Sequence, residues 1–144
     1  MLEFLGAFHP ITVHCPIALV VTAAAAEILQ RWSRAPGVSN AARFMLAVAA
    51  PFALAAVVLG FAAAGVRSFG SELSGTLDIH RVTGVAASVL TVLSAGLAES
   101  ASRGAEPWRV SFYRAVLFLS ALAVAVAAHF GAVLTHGQDY PLFR

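Results

Sequence analysis

Residues 42–66 of this chain read ARFMLAVAAPFALAAVVLGFAAAGV, and this stretch decides the fold class. The one charged residue in it, Arg43, stands at its beginning, and every other residue is apolar or small. A helix that crosses the roughly 30 Å hydrocarbon core of a bilayer takes about 20 such residues. The stretch therefore predicts a membrane-spanning helix.

Three other segments have the same character, and the predicted helices cover residues 11–32, 40–66, 77–100 and 107–136. Hydrophobic residues make up 60% of the 144 residues and charged residues 11%, with a mean hydropathy of +0.84. A soluble domain has about a quarter of its residues charged. Within lipid only helices and closed barrels satisfy the backbone, and short connections make successive helices antiparallel. The sequence thus predicts a single all-α, multi-pass membrane domain over residues 1–144, an up-down four-helix bundle.

Several function classes are excluded at this stage. The basic residues are scattered arginines that form no nucleic-acid-binding patch. The N-terminus lacks the basic segment and cleavage site of a signal peptide. Cys15 is the only cysteine, so neither an intramolecular disulfide nor a C-x-x-C-H covalent haem site is available. Neither a serine–histidine–acid set nor a carboxylate pair falls in one predicted pocket, so we expect no enzyme activity from this chain alone. We also find no convincing internal repeat.

The distribution of arginine gives the bundle a direction. Six arginines flank one end and three the other, and the positive-inside rule makes the richer end cytoplasmic. Both termini are then expected on the outer, periplasmic side of the inner membrane. The six are Arg31, Arg34, Arg43, Arg103, Arg109 and Arg114, and the three are Arg67, Arg81 and Arg144. The aromatic residues expected to lie at the two interfaces are Trp32, Trp108 and Tyr113 on the cytoplasmic side and Tyr140 on the outer side.

This topology brings all five histidines to the outer side. His9 and His136 are expected at the interface, and His14 and His80 about one helical turn further in. His129 precedes His136 by seven residues, or about two turns, and therefore lies on the same face roughly 10 Å deeper. Ionisable residues at such depth usually face the bundle interior and mark a functional site.

Imidazoles that converge inside a membrane bundle suit axial ligation of haem b. His14 and His80 have matching depth on the first and third helices, which are diagonal partners in an up-down bundle. His129 is placed to replace either ligand or to hold a second haem. Arg81, with His9 or His136, is placed to pair with haem propionates at the aqueous edge.

Other readings of the histidines stay open. His9, His14 and His136 offer nitrogen ligands for copper or zinc. The stretch AVAAHFG, residues 125–131, has an alanine four residues before His129 and resembles a chlorophyll-ligand helix. The histidines also suit a cofactor-free structural or assembly subunit, in which they hydrogen-bond across helices. Cys15 is expected to be a small buried hydrophobe.

Three motifs resemble those of a widespread bacterial membrane family of unknown function. Residues 8–19, FHPITVHCPIAL, are similar to the family's H-P-x-x-V-H-F-P-I-A-L opening. Residues 80–84, HRVTG, are similar to H-R-x-x-G, and residues 129–137, HFGAVLTHG, to H-x-G-G-x-L-x-x-G. Cys15 departs from the usual phenylalanine and Ala132 from the second glycine.

The resemblance implies four characteristic residues: His9, His14, His80 and His129. Some family members are fused to c-type cytochrome domains or are encoded beside them, which implies redox work at the outer face. We therefore expect an electron-transfer subunit that holds haem b. Its expected partners are membrane lipid, a c-type cytochrome on the outer side, a quinone, and other subunits of a hetero- or homo-oligomeric complex.

Overall fold

The computed structural model describes residues 1–66, 70–104 and 106–137. These residues form α1 (Leu2–Ala7), α2 (His9–Trp32), α3 (Asn40–Val66), α4 (Ser74–Arg103) and α5 (Pro107–His136), and a 3₁₀ turn, Ser71–Leu73, leads into α4. The described ranges contain no strand. Three residues named in the topology prediction lie outside the described residues: Arg67, Tyr140 and Arg144.

Four helical segments are long and apolar enough to cross a membrane: α2, α3, α5, and α4 with its leading turn. This confirms the prediction of an all-helical protein with four membrane spans. The sequence did not predict α1, a short helix that packs on α3. A Cβ added to Gly6 would lie 2.7 Å from the Cα of Ala63, so glycine allows α1 to approach the α3 backbone closely.

The four long helices pack as a closed ring. α2 packs against α3 and α5, and α4 packs against the same two helices, so α2 and α4 are diagonal partners. Small side chains fill the interior, whereas many large apolar side chains, such as Phe44, Val58 and Leu122, point outward. Small residues allow helices to approach closely within a membrane, where outward apolar groups meet lipid. We call the end where α2 and α4 begin the histidine end and the opposite end the ion-pair end.

A fully buried carboxylate joins α2 to α5 at the ion-pair end. Glu27 on α2 is 1% exposed. Its Oε2 accepts a hydrogen bond of 2.8 Å from Nε of Arg114 on α5, and its Oε1 accepts one of 2.8 Å from the backbone N–H of Ser39. The hydroxyl of Tyr113 donates to the same Oε1 at 3.3 Å. Tyr113 is fully buried, so its predicted position at a lipid interface is wrong, whereas Trp32 and Trp108 are exposed.

A second ion pair lies at the same end, between the other two helices. Nη2 of Arg43 on α3 lies 2.6 Å from Oε2 of Glu99 on α4, and Nε of Arg103 lies 2.9 Å from Oε1. This pair is more exposed than the first: the side chains of Arg43 and Glu99 are 34% and 45% exposed. Together the two pairs join the α2–α3 hairpin to the α4–α5 hairpin.

The contacts reveal an internal repeat that sequence inspection did not find. His9 bonds to Ala56 on α3, and His80 bonds to Ala127 on α5, and the partners are 47 positions apart in both cases. The two histidines differ by 71 in residue number, as do the two alanines and the pair Arg43 and Arg114. The acidic partners of the arginines, Glu27 and Glu99, differ by 72. Exchange of the two hairpins therefore maps these contacts onto one another, which describes an approximate twofold axis parallel to the helices.

Candidate functional site

A cavity of about 430 Å³ opens at the histidine end, among all four long helices. Its walls are mainly apolar and carry small residues such as Gly60, Ala128 and Gly131. The polar side chains that line it near the histidine end are His9, His14, His80, Arg81, Thr135 and His136. Ligand sites in proteins typically have 300–1,000 Å³ and a few polar groups in an apolar lining, so the cavity has the size and chemistry of a binding site.

Hydroxyl groups at the inner end of this cavity are already hydrogen-bonded. Ser88 Oγ donates to the backbone oxygen of Ala53 at 3.1 Å. The hydroxyls of Thr91 and Ser120 lie 3.0 Å apart, and Thr91 also donates to the carbonyl of Ala87. The hydroxyl groups at the inner end therefore already have hydrogen-bond partners. The polar side chains that we expect to contact a ligand are the histidines and Arg81.

His9 and His80 lie beside each other in the cavity. Their ring centroids lie 6.3 Å apart and their ring planes cross at 76°. Both rings are half-buried. The two residues come from α2 and α4, the diagonal helices, and they are equivalent under the internal repeat. The pair therefore lies on or near the axis that relates the two hairpins.

The hydrogen bonds of this pair fix its tautomers. His9 Nδ1 lies 2.9 Å from the backbone oxygen of Ala56, and His80 Nδ1 lies 2.9 Å from that of Ala127. A carbonyl oxygen only accepts, so Nδ1 carries a proton in both rings, and a neutral ring with this contact keeps its lone pair on Nε2. Histidines that bind metals usually donate their other ring N–H to a backbone carbonyl or carboxylate in this way.

The remaining histidines are placed differently. His14 is exposed, and its Nδ1 donates to the carbonyl of Pro10 one turn earlier on α2. His136 Nδ1 donates to the carbonyl of Ala132 at 3.1 Å. His129 is half-buried and does not line the cavity; its ring packs edge-on against Phe130, with centroids 5.4 Å apart. Cys15, next to His14, is a half-buried free thiol.

Arg81 supplies the positive charge of the cavity wall. Its Nη1 lies 3.5 Å from Oδ1 of Asp78, which is a weak ion pair at the surface. Its Nε is buried and has no hydrogen-bond partner within the part of the chain that the structure describes. A buried donor without a partner costs free energy, so this nitrogen favours an anionic or carbonyl acceptor in the cavity.

The structure brings together a different pair from the one that the sequence suggested. His80 was expected to face His14, whereas the ring beside it is that of His9, which was expected at the interface. Among the described residues, no group of three or more His, Cys, Asp or Glu side chains converges on one point. The expected copper or zinc set of His9, His14 and His136 is therefore not assembled, nor are His14, His80 and His129 grouped together. The pair of His9 and His80 remains as the candidate site.

The family model that matches this chain covers residues 6–138 and is described as a predicted membrane protein, DUF2231. The chain belongs to the DUF2231 family of membrane proteins. The match includes all four spans and every histidine, in agreement with the resemblance found in the motifs. No curated protein and no solved structure matches this DUF2231 protein.

Proposed function

We propose that this DUF2231 protein is an electron-transfer subunit that holds one haem b between His9 and His80. The observation that carries the proposal is the geometry of the histidine pair. A bond from a metal to an imidazole nitrogen is about 2.0–2.1 Å long and the ring centre lies about 1.1 Å beyond it, so rings on opposite sides of one metal have centres about 6.3 Å apart. The two rings have this separation, 6.3 Å.

The protonation and surroundings of the rings support the same proposal. Both rings hold their proton on Nδ1 through a backbone carbonyl, which leaves Nε2 of each as the ligating nitrogen. Haem b carries one electron at a potential set by its axial ligands and by the polarity around it. The residues that would hold the haem are His9 and His80, and the walls around them are mainly apolar.

Arg81 is the residue that we assign to the propionates. Arg81 follows His80 in the sequence and lines the same cavity, and its buried Nε has no hydrogen-bond partner among the described residues. His136, at the end of α5, lines the cavity as well. A carboxylate accepts charge-assisted hydrogen bonds from a guanidinium readily. Pro10 stands at the position in the first hairpin that is equivalent to Arg81. The positive charge of Arg81 therefore has no counterpart on the α2 side of the cavity. An asymmetric ligand would therefore bind in one orientation.

The partners follow from where the site lies. The histidine end carries the start of α2 and the end of α5 and, by the positive-inside rule, would face the periplasm. We propose that a c-type cytochrome exchanges electrons with the haem on this side and that a membrane quinone or another subunit is the second redox partner. The localisation that this requires is the inner membrane.

One observation favours a second candidate, a cofactor-free structural subunit. Each of the two hydrogen bonds joins neighbouring helices, His9 from α2 to α3 and His80 from α4 to α5. Such bonds contribute to helix association in membranes without any bound group. In this candidate the cavity binds a lipid or a partner helix, and the histidines hold neighbouring helices together.

A pyridine haemochrome assay separates the two candidates. The full chain is expressed with a haem supply, purified in detergent, and assayed for haem per polypeptide. We expect a b-type spectrum with about one haem per chain. A folded, helical protein without haem under these conditions would exclude the electron-transfer proposal and favour the structural one.

A further inference from the structure

Two glycines lie opposite the paired histidines at equivalent places in the repeat. A Cβ added to Gly60 would lie 2.9 Å from Cε1 of His9. A Cβ added to Gly131 would lie 3.0 Å from Cε1 of His80. The first distance is one that real Cβ atoms essentially never show, and the second is tighter than nine in ten Cβ contacts. A side chain at either position therefore requires the facing imidazole to shift, at Gly131 by a few tenths of an ångström.

The position of each glycine explains why the ring reaches a helix carbonyl at all. Gly60 is four residues after Ala56, and Gly131 is four residues after Ala127. In a helix the carbonyl of residue i accepts the N–H of residue i+4, and the oxygen keeps a second lone pair. Side chains tilt toward the helix N-terminus, so the side chain of residue i+4 lies beside that oxygen. Glycine leaves the space open for the histidine Nδ1–H.

Other glycines within the long helices do not share this feature. A Cβ at Gly65, Gly84 or Gly96 would meet nothing within 4 Å. Gly84 even lines the same cavity. Glycine at positions 60 and 131 therefore serves the imidazoles rather than a general need for small residues in this bundle.

We propose that Gly60 and Gly131 are positioning residues for the histidine pair. Each glycine, with the carbonyl four residues before it, holds one imidazole in the Nδ1–H tautomer and sets the angle at which the two rings cross. Because of the internal repeat, this arrangement of glycine, carbonyl and imidazole occurs twice, once in each hairpin. The inference concerns the same site as the proposed function, but it needs no bound cofactor.

Nitrogen NMR of the cofactor-free protein, labelled with ¹⁵N-histidine, tests this inference. Wild-type protein is expected to show His9 and His80 as neutral Nδ1–H tautomers. G131A is expected to lose that signature at His80 and keep it at His9, and G60A to do the reverse. G96A is the matched control, a glycine-to-alanine change inside a helix that touches nothing, and it is expected to leave both signatures unchanged.

Retention of both wild-type signatures in G60A and G131A would overturn the inference. Should G131A not fold, the double variant H80A/G131A provides the decisive comparison, because removal of the ring leaves nothing for the new Cβ to displace. We then expect the double variant to fold again. A double variant as unstable as G131A would show that Gly131 acts through helix packing alone. The haemochrome result on wild-type protein stays independent of all these outcomes.

Discussion

Replacement of Glu27 by alanine is expected to lower the free energy of unfolding by about 3–5 kcal/mol. Glu27 is buried, and both of its carboxylate oxygens accept hydrogen bonds. Its removal leaves the guanidinium of Arg114, 17% exposed, beside the fully buried hydroxyl of Tyr113 with no anion between them. An uncompensated charge in a low-dielectric interior is far more costly than an exposed one. Unfolding in mixed micelles of increasing SDS content measures the loss.

Glu99 offers the matched control for this variant. It occupies the corresponding place in the second ion pair, but its side chain is 45% exposed. Exposed ion pairs contribute little because water and salt screen them. We therefore expect Glu99→Ala to lower stability much less than Glu27→Ala. Equal losses from the two variants would contradict the account of the buried cluster, and so would a Glu27→Ala variant of wild-type stability.

The second large effect is expected at the histidine pair. His9→Ala and His80→Ala should each reduce haem per chain to on the order of a tenth or less of the wild-type value, since each removes one of the two proposed axial ligands. The readout is the haemochrome assay on protein purified in the presence of added haem. Circular dichroism on the same samples reports whether the helices persist.

His14→Ala and His129→Ala are the comparison variants. His14 is exposed and bonds only within its own helix in the contacts described above, and His129 lies outside the cavity. Both variants are expected to keep their haem. Loss of haem in His14→Ala with retention in His9→Ala would restore the pair suggested by the sequence and contradict the pair in the structure.

Composition alone was sufficient to predict the four spans. A continuous apolar run such as residues 42–66 is expected to be helical in a bilayer, because a helix forms all of its own backbone hydrogen bonds. Alternation of direction then brought His9, His80 and His136 to one end, and the cavity lining agrees with that clustering. Composition cannot set helix rotation, which depends on packing between neighbours. The pairing of His80 with His9 rather than with His14 depends on this rotation.

The features that sequence inspection missed are all contacts between helices. The repeat is carried by a few inward residues 71 apart, such as Gly60 and Gly131, while the lipid-facing residues between them diverge. Glu27 gave a signal that was available, a carboxylate inside the apolar run TAAAAEIL of residues 22–29. An acidic residue at such a place is expected to face the bundle and meet a cation. The sequence indicated a role for its partner, Arg114, only as one of the six arginines that set the direction of the bundle.

Near-infrared magnetic circular dichroism of the oxidised, haem-loaded protein tests the central claim most directly, because its charge-transfer band identifies the two axial ligands of a low-spin haem. Ligation by His9 and His80 predicts the band of bis-imidazole ligation in wild-type protein and its disappearance in His80→Ala. A band from histidine with another ligand, or a bis-imidazole band that persists in His80→Ala, would contradict ligation by His9 and His80.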